Sequence, residues 1–374
     1  MKIAFNTRML LKSRLEGIGN FTLQATKRIV AAHPEHEFIF IFDRPYEEEF
    51  ITGINVTPIV AFPPARHPFL TGYWNEFAVG NVLKKNKVDL YVGTDGFFPL
   101  HTKSKTLSVF HDICFIHHPK DLPFFTGLYY RNMFPHLAKR STRIAAVSEF
   151  TKSDIVKEFN IKSEKIDIVY NGASENFVPL SKSEIEKTRS KFSNGKPYFL
   201  FVGAIHHRKN ISNMLKAFDE YKKSQSSDVK MLMVGAKRWW TEEMENTLTN
   251  MEFKDEVVFT GRVSLQDLTD ITGSAMAMTY VSNFEGFGIP IIEAMRSGIP
   301  VLTSNTSSMP EIAGGAALLC DPFSVESIKI GMTKLASDEN LRADMVQKGL
   351  IRQADFNWDK TAAKLWSAIE KTIQ

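Results

Sequence analysis

The chain reads as an α/β protein made of two doubly wound, Rossmann-like domains, and three observations carry that reading. Strand-like and helix-like patterns alternate from end to end, as parallel sheets with helices on both faces require. The candidate strands fall into two blocks of about six, separated by a turn signal at Asn171-Gly172. The length, 374 residues, suits two domains of ordinary size with ample core.

In order, the first block has strands at 2–6, 37–42, 56–62, 89–93, 106–111, 143–148 and 165–170, with helical patterns at 19–32, 74–86, 128–140 and 149–159. Ser148 is a suitable N-cap for the last of these. Residues 173–197 are polar and loosely patterned, and regularity resumes at Tyr198. The second block has strands near 198–203, 230–235, 256–260, 275–281, 299–303 and 317–320. Its helices fall near 210–223, 264–272, 290–297, 324–336 and 339–353. A last helix, Trp358 to Ile373, carries Ala362, Leu365, Trp366 and Ile369 on one side.

Composition narrows the function classes. A hydrophobic content of 43% with 24% charged residues describes a soluble globular protein. No apolar run approaches the ~20 residues of a spanning helix. Met1-Lys2-Ile3-Ala4-Phe5-Asn6 leads directly into a strand pattern without a signal-peptide core. Cys114 and Cys320 are far apart and read as small buried hydrophobes, so a reducing cytosol fits. The net charge of +4 lies on the first half: residues 1–175 hold 22 Lys and Arg against 18 Asp and Glu. That excess hints at an anionic acceptor or an acidic membrane surface. It is too small to argue for nucleic acid, and no nucleic-acid module is recognisable.

The most informative stretch is Glu285-Gly286-Phe287-Gly288-Ile289-Pro290-Ile291-Ile292-Glu293. Pro290 suits the first position of a helix, where its missing N–H costs nothing. Gly286 and Gly288 allow close backbone approach to a ligand. A helix N-terminus offers amide donors and partial positive charge to a phosphate. One carboxylate precedes that anion site and the other follows it. A sugar nucleotide has the matching layout of polyol, pyrophosphate and ribose diol, and carboxylates accept hydrogen bonds from vicinal hydroxyls. The plain alternative is a surface Glu followed by an ordinary amphipathic helix.

Glu285 to Glu293 resembles the E-x7-E signature of retaining glycosyltransferases of family 4, the group 1 enzymes with the two-domain GT-B fold. The runs Ser297 to Asn305 and Ser308 to Ala317 are similar to that family as well. So are Val202-Gly203 with Arg208-Lys209-Asn210, and Phe259-Thr260-Gly261-Arg262-Val263. The resemblance implies a cleft between the two domains and a last helix that crosses back. It gives an acceptor-binding domain of 1–176 plus 357–374 and a donor-binding domain of 177–356. It further implies transfer with retention of anomeric configuration and no obligatory metal.

Other residues fit this frame to different degrees. Gly203-Ala204-Ile205-His206-His207-Arg208-Lys209-Asn210 follows a strand and opens a helix. Arg208 and Lys209 at that edge suit a departing diphosphate; a solvated basic loop is the plain alternative. The resemblance makes Lys209 the phosphate-binding lysine. Some members carry an extra Arg directly after the glycine, and here Ala204 stands in that place, leaving Arg208 or His206 as substitutes. Arg14-Leu15-Glu16-Gly17-Ile18-Gly19-Asn20-Phe21 is a poor dinucleotide fingerprint because Thr22 replaces its third glycine. The family closes a similar loop, here Gly17 and Gly19, over the diphosphate; a plain loop with an N-cap accounts for it equally.

His111 and Asp112 end a strand, and the family's histidine in such a pair lies near transferred sugar and acceptor. A His there can orient a hydroxyl or relay a proton, or it can be structural. His117 and His118 lack supporting ligand spacing, so no metal site is expected. Val263, with Gly261 and Arg262, falls where the family holds the nucleobase. Trp239 and Trp240 after Lys237-Arg238 could touch donor or acceptor lipid, with core or rim packing as the default.

The expectation is therefore a cytoplasmic enzyme moving a hexose from a nucleotide-sugar, such as a GDP- or UDP-hexose, to a glycan or lipid-linked acceptor. Catalysis is assigned to His111, Glu285, Arg208 and Lys209. Donor contacts come from Gly17, Gly19, Gly203, Arg208, Lys209, Val263, Glu285, Gly286, Phe287, Gly288 and Glu293, and acceptor contact from Asp112. Peripheral inner-membrane association is a further expectation. A nucleotide-sugar epimerase of the same architecture and a non-catalytic sugar-nucleotide-binding protein are the alternatives.

Overall fold

The computed structural model describes residues 1–12, 15–65 and 68–374; Arg14, in the glycine-containing loop, lies outside them. The described residues form two compact units, Met1–Gly172 with Asn357–Gln374, and Ala173–Phe356. The division falls at 172/173, directly after the Asn171-Gly172 turn and four residues before the 176/177 boundary that the resemblance gives.

The first unit contains β1 (Lys2–Asn6), β2 (Glu37–Phe42), β3 (Val56–Val60), β4 (Leu90–Gly93), β5 (Lys105–Phe110), β6 (Arg143–Ala146) and β7 (Ile166–Ile168). They form one parallel sheet in the order β3-β2-β1-β4-β5-β6-β7. Phe38 through Phe42 are buried without a break, because helices cover both faces of such a sheet. Pro58 sits in β3, an edge strand, where the missing N–H interrupts no interior ladder.

The second unit repeats the winding with β8 (Tyr198–Val202), β9 (Lys230–Val234), β10 (Val257–Gly261), β11 (Ala277–Tyr280), β12 (Val301–Ser304) and β13 (Leu318–Cys320). The order is β10-β9-β8-β11-β12-β13, again parallel. Each sheet reverses its winding beside its first strand, at β1/β4 and at β8/β11. Ligands of open α/β sheets bind outside the carboxyl ends of the strands at such points.

Three helical stretches differ from the sequence reading. The pattern at 74–86 is the end of a longer helical run: Pro68–Tyr73, a π-helical segment Trp74–Val79, and Gly80–Asn86. The first helix begins at Gly17 rather than at 19, so Gly17 and Gly19 occupy its first turn. The polar segment expected to be loose contains a helix, Lys182–Ser193. Its start is fixed by a capping box in which Ser181 and Glu184 bond each other's backbone N–H.

The last helix, Trp358–Ile373, packs on the first unit. Thr361 Oγ1 donates to the Tyr170 carbonyl at 2.7 Å, and Trp366 stacks on His33 with ring centroids 3.6 Å apart. A Cβ on Gly172 would lie 2.5 Å from the Trp358 backbone nitrogen, so only glycine lets the chain pass there.

Candidate functional site

At the β8/β11 reversal the second unit gathers a carboxylate, two cations and a phenol. The chain leaves β8 through Gly203 (φ +150°) and makes a short 3-10 turn, His207–Lys209. Asn210, left-handed at φ +60°, bolts this turn down by donating to the carbonyls of Val281 (3.1 Å) and Pro322 (2.6 Å). His206 Nδ1 accepts from the Arg208 backbone N–H at 3.1 Å. Thus held, Arg208 Nη1 donates to the Phe284 carbonyl (2.8 Å) and to Glu285 Oε2 (3.0 Å). Lys209 Nζ reaches Glu285 Oε1 and the Tyr280 hydroxyl, the latter at 2.7 Å. Tyr280 donates in turn to Glu285 Oε1 at 3.1 Å.

Glu285 is only 7% exposed. Burial alone would raise its pKa, but the Arg208 and Lys209 charges outweigh it and hold the carboxyl at about 2. Burial, followed by the Glu285 charge, pushes the Tyr280 phenol far above its ordinary value. The group is thus an ionised carboxylate, two cations and a neutral donor.

Serines from the β12 side shape the loop that carries Glu285. Ser307 Oγ accepts from the Glu285 N–H (3.1 Å), and Ser308 Oγ meets the carbonyls of Glu285 and Phe287, both at 2.9 Å. Phe287 is buried against Phe356, which anchors the loop between its two glycines. Gly288 then takes φ +103°, a conformation costly to any residue with a Cβ, and the helix Ile289–Arg296 begins. The carboxylate of Glu293, about one turn into that helix, has no hydrogen-bond or ion-pair partner among the described residues. Its partial burial raises its pKa to about 7. Val263 follows β10 and is half-buried, beside Gly261, whose carbonyl accepts from the Gly235 N–H at 2.9 Å.

The other expected residues lie in the first unit. His111, after β5, approaches the Thr94 carbonyl with Nε2 at 2.8 Å, and a carbonyl can only accept. Burial lowers its pKa. The neutral ring therefore carries its proton on Nε2 and its lone pair on Nδ1. Phe21, from the first helix, stands edge-on to the ring at 5.1 Å. Asp112 caps the next turn, accepting from the Cys114 N–H at 2.9 Å. The two glycines separate: a Cβ on Gly19 would lie 2.5 Å from the Met9 carbonyl oxygen, whereas one on Gly17 would meet nothing within 4 Å.

Sequence reasoning passed over several participants. Ser308 opens the family-like run to Ala317 without having been assigned a contact. Tyr280 and Ser307 carry no motif of their own. Nor do Arg8 and Asp95, a buried ion pair at 2.5 Å joined by Asn6 (2.9 Å) at the β1/β4 reversal. His117, expected to lack ligand partners, is joined by Asp154 at 2.8 Å and by Glu158. The ligand atoms of the three lie within 4.8 Å of one another, a grouping that could hold a metal ion.

Two doubly wound units of this kind, each with its own switch-point site, make up the GT-B architecture of glycosyltransferases. Residues 182–352 match the family described as glycosyl transferases group 1, and residues 15–177 the one described as glycosyltransferase family 4. The chain belongs to these glycosyltransferases. It is 27% identical over 385 residues to O-antigen chain mannosyltransferase B of Escherichia coli, covering 98% of this chain and 99% of that one. It is 31% identical over 254 residues to O-antigen chain mannosyltransferase RfbU of Salmonella typhimurium, covering 68% and 66% respectively. Among solved structures, Anabaena HepE in complex with UDP and glucose superposes with a TM-score of 0.78. The identity there is 16%, with 99% of this chain and all of that one covered.

Proposed function

We propose that this glycosyltransferase moves a hexose, with retention of anomeric configuration, from a nucleotide-sugar to a hydroxyl of a glycan or lipid-linked acceptor in surface-polysaccharide assembly. The observation that carries the reading is Glu285, held ionised between Arg208 and Lys209 at the mouth of a glycine-initiated helix. A diphosphate arriving there would draw the two cations from the carboxylate, freeing Glu285 to accept hydroxyls of the sugar. The helix N-terminus at Ile289 adds amide donors, and Glu293 supplies an acceptor for the ribose diol. His111 Nδ1 offers an acceptor for a sugar or acceptor hydroxyl in the first unit. The mannosyltransferase relatives favour a mannose-type hexose and an O-antigen-like glycan acceptor.

Charge neutralisation by Arg208 and Lys209 makes a metal unnecessary for leaving-group stabilisation in this reading. Transfer should therefore be unchanged in EDTA, and loss of activity on chelation would refute that part. The decisive experiment is a thermal-shift panel of UDP-, GDP- and ADP-sugars, because a ligand of the folded state stabilises by mass action. Product must then form only when acceptor is present; sugar interconversion in its absence would identify an epimerase.

We place the work at the cytoplasmic face of a membrane, as a peripheral protein. Among the described residues no helix is long and apolar enough to cross a membrane. Leu70, Tyr73 and Phe77 on one helical run, and Phe124, Phe125 and Leu128 on the helix Phe124–Arg140, are exposed. That second helix has no acidic residue and carries Arg131, Lys139 and Arg140, which suits an anionic headgroup layer. Sedimentation with phosphatidylglycerol vesicles should capture the protein, and Phe124→Ser with Phe125→Ser should release it. Equal sedimentation of both forms would reject this face.

A further inference from the structure

His117 ends the short helix Cys114–His117, which opens directly after the His111-Asp112 pair. The helix Glu149–Phe159, which follows β6, carries Asp154 and Glu158 one turn apart and therefore on one face. The transfer chemistry proposed above uses none of these three side chains. Their ligand atoms nevertheless lie within 4.8 Å of one another, with Asp154 buried and His117 and Glu158 reaching solvent. Spacing along the chain conceals the set, because its histidine and first carboxylate are 37 residues apart.

The contacts within the set are those of a place built for a cation. His117 Nε2 stands 2.8 Å from one Asp154 oxygen and 2.9 Å from the other. One N–H can align with only one of these oxygens, whereas an ion in that position faces both. Two carboxylates are also held together with little positive charge to balance them. Among the described residues Lys157 is the one lysine or arginine paired to either, at 3.5 Å from Glu158. That lysine is 79% exposed, so the pair is screened by solvent and neutralises little. A buried carboxylate beside a second one is costly until a cation joins them.

We propose that His117, Asp154 and Glu158 bind one divalent transition metal of the zinc class, as a static clip between the His111-bearing segment and the helix after β6. Zinc holds nitrogen and oxygen donors at 2.0–2.2 Å in a tetrahedron, which sets them about 3.3 Å apart. The separations here bracket that spacing, so side-chain rotations of His117 and Glu158 complete the set without backbone movement. Two carboxylates cancel the double charge, and water takes the fourth position from the open side. Imidazole with carboxylate suits zinc and its neighbours, whereas magnesium and calcium prefer shells of six or more oxygens. The metal takes the Nε2 lone pair, and a neutral ring then carries its proton on Nδ1. Glu285, Arg208 and Lys209 belong to the other unit, so transfer proceeds without this ion and its insensitivity to EDTA stands.

Calorimetric titration of the metal-stripped full chain with Zn²⁺ tests this. The wild type should take up a tight equivalent that millimolar Mg²⁺ or Ca²⁺ does not displace, and Co²⁺ in its place should show the strong visible absorption of a four-coordinate site. His117→Gln, which keeps a donor for Asp154, should weaken Zn²⁺ binding about a hundredfold or more, and Glu158→Gln about tenfold or more. His118→Gln should bind as the wild type does. Zn²⁺ should slow amide hydrogen exchange across 111–118 and 149–159 about tenfold or more in the wild type, with no such change in His117→Gln. Equal melting of the metal-free wild type and Glu158→Gln, expected for a side chain that reaches solvent, establishes that folding is intact. A wild type that takes up no Zn²⁺, a His117→Gln chain that binds it unchanged, or displacement by Ca²⁺ overturns the site. Binding that leaves exchange unaltered, or a Glu158→Gln chain with impaired transfer, overturns the static clip.

Discussion

The two sheets share a winding order but equip their switch points in opposite ways. At β1/β4 the charges are closed on each other: Arg8 and Asp95 are paired at 2.5 Å, both nearly buried, with Asn6 completing the set. The neighbouring His111 is kept neutral by burial. At β8/β11 one carboxylate faces two cations from an adjoining turn, so the cluster retains a net positive charge. The first arrangement builds a rigid, nearly neutral polar edge. The second can exchange its internal anion for an external one without stranding a charge. A shared topology thus fixes where a ligand can lie, and the charge balance at each edge decides which ligand it is.

Removing the anion on either side should have the largest effect and should separate the two roles. Glu285→Gln leaves Arg208 and Lys209 without their counter-charge and should cost about 3–5 kcal/mol in denaturant unfolding, with transfer abolished. Asp95→Asn should cost a similar amount through Arg8, yet leave nucleotide affinity unchanged. The pH response follows from the carboxyl held at about 2, below its ordinary 4.5. The Glu285 contribution is fully present above pH 4.5 and is lost as the pH falls toward 2. If Glu285→Gln keeps wild-type stability, the cations are not balanced by it and the contrast between the two edges disappears.

Next in size is Lys209→Ala, expected to lower turnover roughly a hundredfold or more through loss of charge stabilisation on the departing diphosphate. A variant at wild-type speed would remove Lys209 from the mechanism. His111→Ala should lower transfer less, by roughly thirtyfold, with nucleotide affinity retained, since the residue belongs to the other edge. Should nucleotide binding fail instead, the division of labour between the units would need to be redrawn.

The sequence made one of these edges far more legible than the other, for physical reasons. The β8/β11 site is built from local segments with strong punctuation: Gly203, Gly288 and Pro290 mark the backbone, and Glu285, Arg208 and Lys209 stand beside those marks. Tyr280 escaped notice because a tyrosine inside an apolar strand reads as core. Only the pairing of β8 with β11 shows that its hydroxyl ends among charges. Ser307, and the contacts of Ser308 within its family-like run, were invisible for the same reason, as they act across strands. At the β1/β4 edge the Arg8–Asp95 pair joins residues 87 apart, a distance that no local pattern spans. The helix Lys182–Ser193 had a readable start in Ser181 and Glu184, but its weak apolar stripe hid it: only Thr188 and Ser193 are buried. The early start of the first helix at Gly17 was masked because glycine is a poor helix former.

The smallest effect expected is also the finest probe of the second edge, and it concerns Glu293. Its carboxyl has no partner among the described residues and titrates near pH 7 because burial disfavours the charge. Two hydroxyls of a ribose would hydrogen-bond the ionised form and return the pKa toward its ordinary value. Binding would then release a proton wherever the free protein still holds one, so affinity should rise with pH and level off above 7. Between pH 6 and pH 8 the gain should be about tenfold. A nucleotide-sugar is the right probe, because its phosphates do not titrate in that range, whereas a terminal phosphate would. Glu293→Gln should bind more weakly than the wild type at pH 8 and show no slope. A slope that survives this substitution would assign the proton to another group and take the ribose from Glu293.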